Sequence, residues 1–503
     1  MATEDIDQNR DRVAEIFQNR TLLVTGGTGF VGKVLIEKTL RVHDVKKIYV
    51  LVRMKKGKSV VERFQQVFND PLFDLVKKTK GKDILNKVCF IRGDVGEADL
   101  GLSDEDRQIL IEETEFIFHC AATIRFDEPL KTAVLLNVRG TKLMVQLAKE
   151  CKKLQVFSHL STSYCHLNER VLYEKAYPPP TDPDNLIRTC ELMSDEMIEA
   201  LVPKLLKNMP NTYAFTKSLG EAIVTEQMEN IPAIILRPSI VMPIWREPIP
   251  GWTDNFNGPM GLLIAGGKGV LRTMYCRADV YADYVPVDIV ANAMLASILD
   301  YVLYKGERRF YNITSSAEYK ITFDELITHG RQTVYNKVPF NGVFWYPGGT
   351  MTQSRLEHNL RFFFYQWLPA VFVDILLVIL GYPPVLKRVQ RRILKGYDVF
   401  EYYTTKQWDF NNDVSMEARK LLTQRERELY KVDGDGIQYE QYFYDTVHAA
   451  RLYLLNEPDE TIPAAKRHMT RMYYADLFFK YLLRIIFMCL LYKYVLLPVI
   501  SSF

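Results

Sequence analysis

Residues 21–32, reading Thr-Leu-Leu-Val-Thr-Gly-Gly-Thr-Gly-Phe-Val-Gly, constrain this chain more than any other stretch. A short apolar strand runs into a glycine-rich turn, and the turn opens a helix. Glycines at 26, 29 and 32 let the backbone turn tightly, approach a pyrophosphate and seat the helix against a sheet. The unpaired N–H groups of the helix start then face phosphate charge. Gly26, Gly29 and Gly32, together with Thr25, Thr28 and Phe30, are therefore the expected dinucleotide contacts.

Strand-like runs at 21–24, 47–52, 87–91, 116–121, 156–160 and 233–237 alternate with helix-like runs such as 30–40, 60–67 and 138–150. That alternation predicts an α/β fold, a Rossmann-like doubly wound parallel sheet with helices on both faces. The three prolines of 178–180 and Pro183 cannot continue a helix and mark a stiff surface insertion. A Gly/Pro-rich section at 243–269 reads as a loop over the active edge, its aromatics either lining an apolar channel or simply packed. Beyond 346–349 the pattern gives way to long helical segments. The expected organisation is a polar segment at 1–17, a dinucleotide-binding domain with substrate-binding insertions at 18–354, a helical domain at 355–465 and an apolar tail at 466–503.

With 503 residues and 48% hydrophobic content, the chain can bury a large core in more than one domain. A net charge of +3 gives no case for a nucleic-acid partner. Seven scattered cysteines form no CxxC pair and no zinc-like spacing, so no metal site is expected and a reducing, cytosol-facing setting is the simpler reading. Residues 1–20 are acidic and polar and lack the apolar stretch of a signal peptide. Residues 477–503 are nearly all apolar, broken by Lys480, Arg484 and Lys493. Their uncharged runs fall short of the ~20 residues needed to span hydrocarbon. Membrane attachment through this tail is expected, with spanning and lying flat both open. A second apolar segment, 367–380, carries Asp374 and reads either as a buried helix or as another membrane contact.

In NAD-binding folds an acidic residue at the end of the second strand takes the ribose hydroxyl. Here that position holds Arg53, followed by Lys55, Lys56 and Lys58. Positive charge without a carboxylate suits a 2′-phosphate, so NADPH is expected, with Arg53 as principal reader and Lys56 or Lys58 in support. The alternative is a solvated basic helix start. Asp94, after the third strand, can accept the adenine amino hydrogen or cap a turn. Ala121 and Ala122, after the fourth, are small enough to let a dinucleotide lie close.

Tyr213 and Lys217 stand four residues apart, on one helix face. An ammonium beside a phenol favours phenolate, so Lys217 is expected to lower the tyrosine pKa. Tyr213 is then a proton donor to a developing alkoxide, and Lys217 also holds the nicotinamide ribose. Thr162, beside Ser161 and Ser163 at the end of the fifth strand, would polarise the carbonyl. Asn137 either caps a helix or positions water or Lys217 in a proton relay. Among 29 tyrosines a bare YxxxK is common, and its weight comes from following a Ser-Thr strand end.

These blocks together resemble the alcohol-forming fatty acyl-CoA reductases, extended short-chain dehydrogenase/reductases with a helical C-terminal domain. The resemblance rests on 25–35, 119–126 (His-Cys-Ala-Ala-Thr-Ile-Arg-Phe), 158–162, 213–217 (Tyr-Ala-Phe-Thr-Lys), 236–241 and 250–255, and covers roughly residues 18 to 465. It places the catalytic hydroxyl, tyrosine and lysine on Thr162, Tyr213 and Lys217, and adds Pro238 to the cofactor contacts. Ser163 stands where the family often has alanine, which bears on substrate fit. The resemblance implies reduction of a long-chain acyl-CoA thioester by NADPH to an aldehyde with loss of CoA, then to a primary alcohol. It also implies a peroxisomal membrane, or alternatively the endoplasmic reticulum. A covalent acyl-enzyme on Cys120 is disfavoured because no base accompanies it. The remaining alternatives are a single-step reductase on another lipid or sterol, and a non-catalytic acyl-CoA-binding membrane protein.

Overall fold

The structure, a computed structural model, describes residues 7–54, 59–315 and 318–496. Two compact units interleave along the chain. One comprises the chain through Thr253 with Tyr281–Ile321 and Gln407–Ile437; the other comprises Asp254–Val280, Thr322–Lys406 and the chain from Gln438. A helical domain was expected to run unbroken over 355–465, but 407–437 groups with the first unit. There the Arg12 guanidinium pairs with Glu426 at 2.7 Å, and His43 meets the Tyr430 hydroxyl at 2.7 Å.

The first unit is built on a seven-stranded parallel sheet: β1 (Thr21–Thr25), β2 (Lys47–Val52), β3 (Val88–Arg92), β4 (Phe116–His119), β5 (Val156–Leu160), β6 (Ala233–Pro238) and β7 (Phe310–Ile313). Their spatial order is β3-β2-β1-β4-β5-β6-β7, with every pairing parallel. Sheets of this kind are covered on both faces, which explains why β1, β4 and β6 are buried along their full length. Helices α1 (Phe30–Val42), α2 (Val60–Phe68), α3 (Gly140–Glu150), α4 (Thr212–Glu226) and α5 (Val287–Leu303) supply the cover. Six of these strands follow the sequence alternation; the edge strand β7 does not stand out in it.

The order of successive strands reverses between the parallel neighbours β1 and β4, and this is where ligands collect in such sheets. Thr25 ties the two strand ends together there. Its fully buried hydroxyl accepts the Ala121 N–H at 3.1 Å and meets His119 Nδ1 at 2.8 Å.

The second unit is mainly helical. A 25-residue helix α6 (Arg355–Ile379) is followed by α7 (Leu386–Thr404) and, at the end of the chain, α8 (Ile462–Leu491). Its core gathers Met260, Ile264, Val334, Phe340, Val447 and Met469. Pro259–Gly267, within the stretch whose Gly/Pro content predicts a loop, is one of its helices. Helix α8 is fixed by Asp476, which accepts the Trp345 indole N–H at 2.6 Å.

Thr25→Val keeps the shape of the side chain but removes the partner of a part-buried amide and of a buried imidazole nitrogen. The expected cost is about 1–3 kcal/mol, read as a lower thermal midpoint for the purified protein. An unchanged midpoint would contradict this role.

Candidate functional site

The glycine turn lies in the crevice between β1 and β4. Gly26 adopts φ +71°, and a Cβ there would come within 2.8 Å of the Ala121 amide nitrogen and the Cys120 carbonyl carbon. A Cβ on Gly32 would stand 2.4 Å from the Gly26 carbonyl oxygen. Only glycine fits either place. Gly29 is the N-cap of α1, is exposed, and provides no side-chain cap, so the first-turn amides open toward the crevice. Uncapped first-turn amides of this kind suit the charge of a pyrophosphate.

The other expected cofactor residues lie at nearby strand ends. Phe30 begins α1, and its ring lies 5.8 Å from that of Trp252, tilted by 31°. Trp252 itself is buried, so this aromatic of the Gly/Pro-rich section packs rather than lining a channel. Arg53 is exposed just beyond β2. Lys56, along with Lys55 and Lys58, lies outside the described residues. Asp94 uses Oδ1 to accept the Gly96 N–H at 2.9 Å, a turn-forming bond. Thr25, expected as a direct contact, uses its hydroxyl on the Ala121 N–H and His119 Nδ1.

Arg63 is the residue that sequence reasoning missed. It rises from α2, donates to the Thr28 hydroxyl at 3.3 Å and also donates to the Arg53 carbonyl oxygen. One buried guanidinium thus joins the glycine turn to the end of β2. Its signal was present as a lone arginine on an otherwise apolar helix face.

At the reacting end, the Asn211 side chain caps α4 by accepting the Ala214 N–H at 2.9 Å. The helix then presents Tyr213, Lys217 and Glu221 one turn apart on one face. Tyr213 hydrogen-bonds the Thr162 side chain, and Phe126 packs edge-on to its ring at 5.4 Å. Thr162 Oγ1 also accepts the Tyr164 N–H at 3.2 Å and lies 3.4 Å from the Pro238 carbonyl oxygen. Lys217 Nζ donates to the Leu160 carbonyl at 2.6 Å. The hydroxyl, phenol and amine expected at this site therefore converge on the end of β5.

The expected electrostatics need correction. Burial raises the Tyr213 phenol above its ordinary value; the Thr162 hydrogen bond opposes that shift only in part. Lys217 does not depress it, because its amine is held on the Leu160 carbonyl. A neutral phenol is nonetheless the protonation state that a proton donor requires. Burial lowers Lys217 to about 8, against the favourable charge of Glu221.

Beneath Lys217 lies a buried ionic cluster that the sequence did not disclose. Glu221 pairs with the fully buried Arg237 at 2.7 Å and with His166 Nε2 at 2.9 Å. Burial opposes ionisation of Glu221, but Arg237 and His166 outweigh it and hold the carboxyl well below its usual range. Cys165 and Glu221 raise His166 to about 10 despite its burial. Ligand atoms of Cys165, His166 and Glu221 lie within 4.8 Å of one another. The Arg237 fork occupies the carboxylate, so the group reads as an ion cluster.

Asn137 sits in a π-helical turn, Leu135–Arg139, inside a continuous helical stretch rather than at a helix cap. Its amide oxygen accepts the Thr123 N–H at 2.8 Å and its nitrogen donates to the Thr216 hydroxyl at 3.0 Å, so it fixes α4 rather than contacting Lys217. Burial pushes the Cys120 thiol up to about 12, which leaves it protonated and a poor nucleophile.

The Lys217 ammonium exists only below its pKa. Turnover is expected to fall as pH rises through about 8, and Glu221→Gln should move that fall to lower pH. A flat rate profile across this range would remove the assigned role of the charge.

An NAD-binding family model described as male sterility protein matches residues 24–294, and a second model of the same description matches residues 365–457. Fatty acyl-CoA reductase 1 of Mus musculus is 36% identical over 466 residues, covering 92% of this chain and 89% of that protein. Fatty acyl-CoA reductase wat of Drosophila melanogaster is 35% identical over 457 residues, with coverage of 91% and 88%. Among solved structures, the terminal R domain of the myxalamid PKS-NRPS pathway is similar in fold, with TM-score 0.58 and 19% identity over 86% of this chain and 90% of that one. The glycine cradle thus belongs to a nicotinamide-binding domain. The chain is a member of the fatty acyl-CoA reductase family.

Proposed function

We propose that this protein reduces long-chain fatty acyl-CoA to the primary alcohol with NADPH, through the aldehyde, releasing CoA. The convergence of Thr162, Tyr213 and Lys217 at the end of β5, beside the glycine cradle, carries this reading. When bound, the dinucleotide supplies hydride; two are consumed, with two protons, per alcohol formed. Thr162 and Tyr213 donate hydrogen bonds to the substrate oxygen as negative charge develops on it. Tyr213 holds the proton that the alkoxide takes in the second reduction. Lys217 keeps positive charge beside the cofactor ribose, supported by Glu221.

Arg53 reads the 2′-phosphate, and Arg63 holds the Arg53 backbone in place. Gly26, Thr28, Gly29, Phe30, Gly32, Asp94, Ala121 and Pro238 line the remaining cofactor path, and Lys56 assists from outside the described residues. Acyl chains need apolar surroundings, since each buried CH₂ contributes about 0.8 kcal/mol. The tail from 466 onward attaches the enzyme to a membrane, with the catalytic unit facing the cytosol, at the peroxisome or alternatively the endoplasmic reticulum. Within the described part of the chain, one helix, Arg355–Ile379, is long and apolar enough to cross a bilayer.

Detergent-purified protein given NADPH and a panel of acyl-CoAs should release thiol and form alcohol, with two NADPH consumed per alcohol. Absence of thiol release from every acyl-CoA would defeat the assignment. Tyr213→Phe should lose at least about 100-fold in rate while still binding NADPH. Arg53→Asp should weaken NADPH binding about tenfold or more and leave NADH binding little changed; equal NADPH affinity would refute its role.

A further inference from the structure

Helices α6 and α7 form an antiparallel hairpin. Arg355 pairs with Glu401, the Phe362 ring meets Tyr397 at 6.2 Å, and Gln366 bonds Gln390 at 3.0 Å. At the tip, the Asp374 carboxylate accepts the N–H groups of Val385, Leu386 and Lys387 at 2.9, 2.8 and 2.7 Å. The one acid in the apolar half of α6 therefore serves as the cap of the returning helix. Only Gln366, Ala370 and Asp374, spaced four apart, are buried in that half. The rest is open: Phe372 is 61% exposed and Ile379 is 73% exposed.

Helix α7 answers with charge. Lys387, Arg388, Arg391, Arg392 and Lys395 are all exposed along its first half, and no acid interrupts them before Asp398. Among the described residues none of the five side chains forms a salt bridge, although Lys387 lies near the Asp374 carboxylate that its backbone N–H also meets.

By length and composition α6 could cross a bilayer. The hairpin opposes that. If α6 spanned, α7 would return beside it from the far side. Arg391, Arg392 and Lys395 would then lie roughly 8–14 Å inside a hydrocarbon core about 30 Å thick. Unpaired cations at such depth are strongly disfavoured. Lying flat resolves the conflict, since apolar side chains enter the acyl boundary while the cations remain among headgroups.

We infer that this hairpin rests in the plane of a bilayer and binds anionic phospholipid headgroups through the α7 cations, rather than crossing the membrane. The contact is separate from the acyl-CoA reading and from attachment by the tail. Its partner is set by charge complementarity: a continuous cationic face beside an apolar one fits an anionic lipid surface.

The test uses full-length protein with neutral phosphatidylcholine vesicles and with vesicles containing phosphatidylserine. Neutral vesicles report the tail, and the gain on adding phosphatidylserine reports the hairpin. That gain should be about tenfold or more at low salt, and exchanging all five cations for Gln should abolish it. Activity on detergent-dispersed substrate should be unchanged by the exchange. In intact vesicles, Arg391→Cys should react with an impermeant thiol reagent beyond the background of the parent protein. An environment-sensitive dye on Phe372→Cys should shift to the blue only with vesicles.

Retention of the lipid-dependent gain by the Gln variant would overturn the proposal. Protection of Arg391→Cys in intact vesicles would show a spanning hairpin and do the same. A dye shift in a vesicle-free dimer would assign the apolar face to a second copy, which also overturns it.

Discussion

The close approach of β1 and β4 governs the rest of this enzyme. Gly26 passes so near the Cys120–Ala121 backbone that no side chain fits between them. That contact opens the crevice where the strand order reverses, aims the first turn of α1 into it and brings the ends of β4 and β5 alongside. Thr25 secures the approach from below through His119 and Ala121. A crevice and an uncapped helix start appear together because one backbone path produces both.

The reacting groups depend on a second constraint, the ion cluster under α4. Burying Glu221 and Arg237 carries a large desolvation cost, offset by a bidentate pair and the His166 contact. The result fixes α4 to β6, since Arg237 belongs to that strand. Tyr213 and Lys217 inherit the position. Glu221 also supplies the nearby negative charge that partly offsets the effect of burial on Lys217. Asn137 fixes the same helix from its other side through Thr216. Together these ties set the phenol and amine by packing rather than by direct contact with each other.

In the helical unit, polar groups within apolar helices have structural work. Gln366 accepts the backbone N–H groups of Arg272 and Thr273, and Asp374 caps α7. Asp476 anchors α8 near its middle, beyond which the exposed positions are mostly apolar. Charge inside an apolar run marks the points where these helices meet backbone or side-chain donors.

Local pattern was enough to specify the alternating α/β architecture, six central strands, the glycine cradle and the Thr162–Tyr213–Lys217 set. Each depends on residues close in sequence or on a spacing that a helix or strand converts directly into a shared face. The edge strand β7 escaped because four residues, Phe310–Ile313, have no periodicity to detect. Arg63, Glu221 and Arg237 escaped because a charged residue in sequence looks the same whether solvated or buried against a distant partner. The raised phenol pKa, the role of Asp374 and the interleaving of 407–437 with the first unit were likewise decided by the tertiary structure. Burial and long-range pairing set them, and neither is a property of any short stretch of chain.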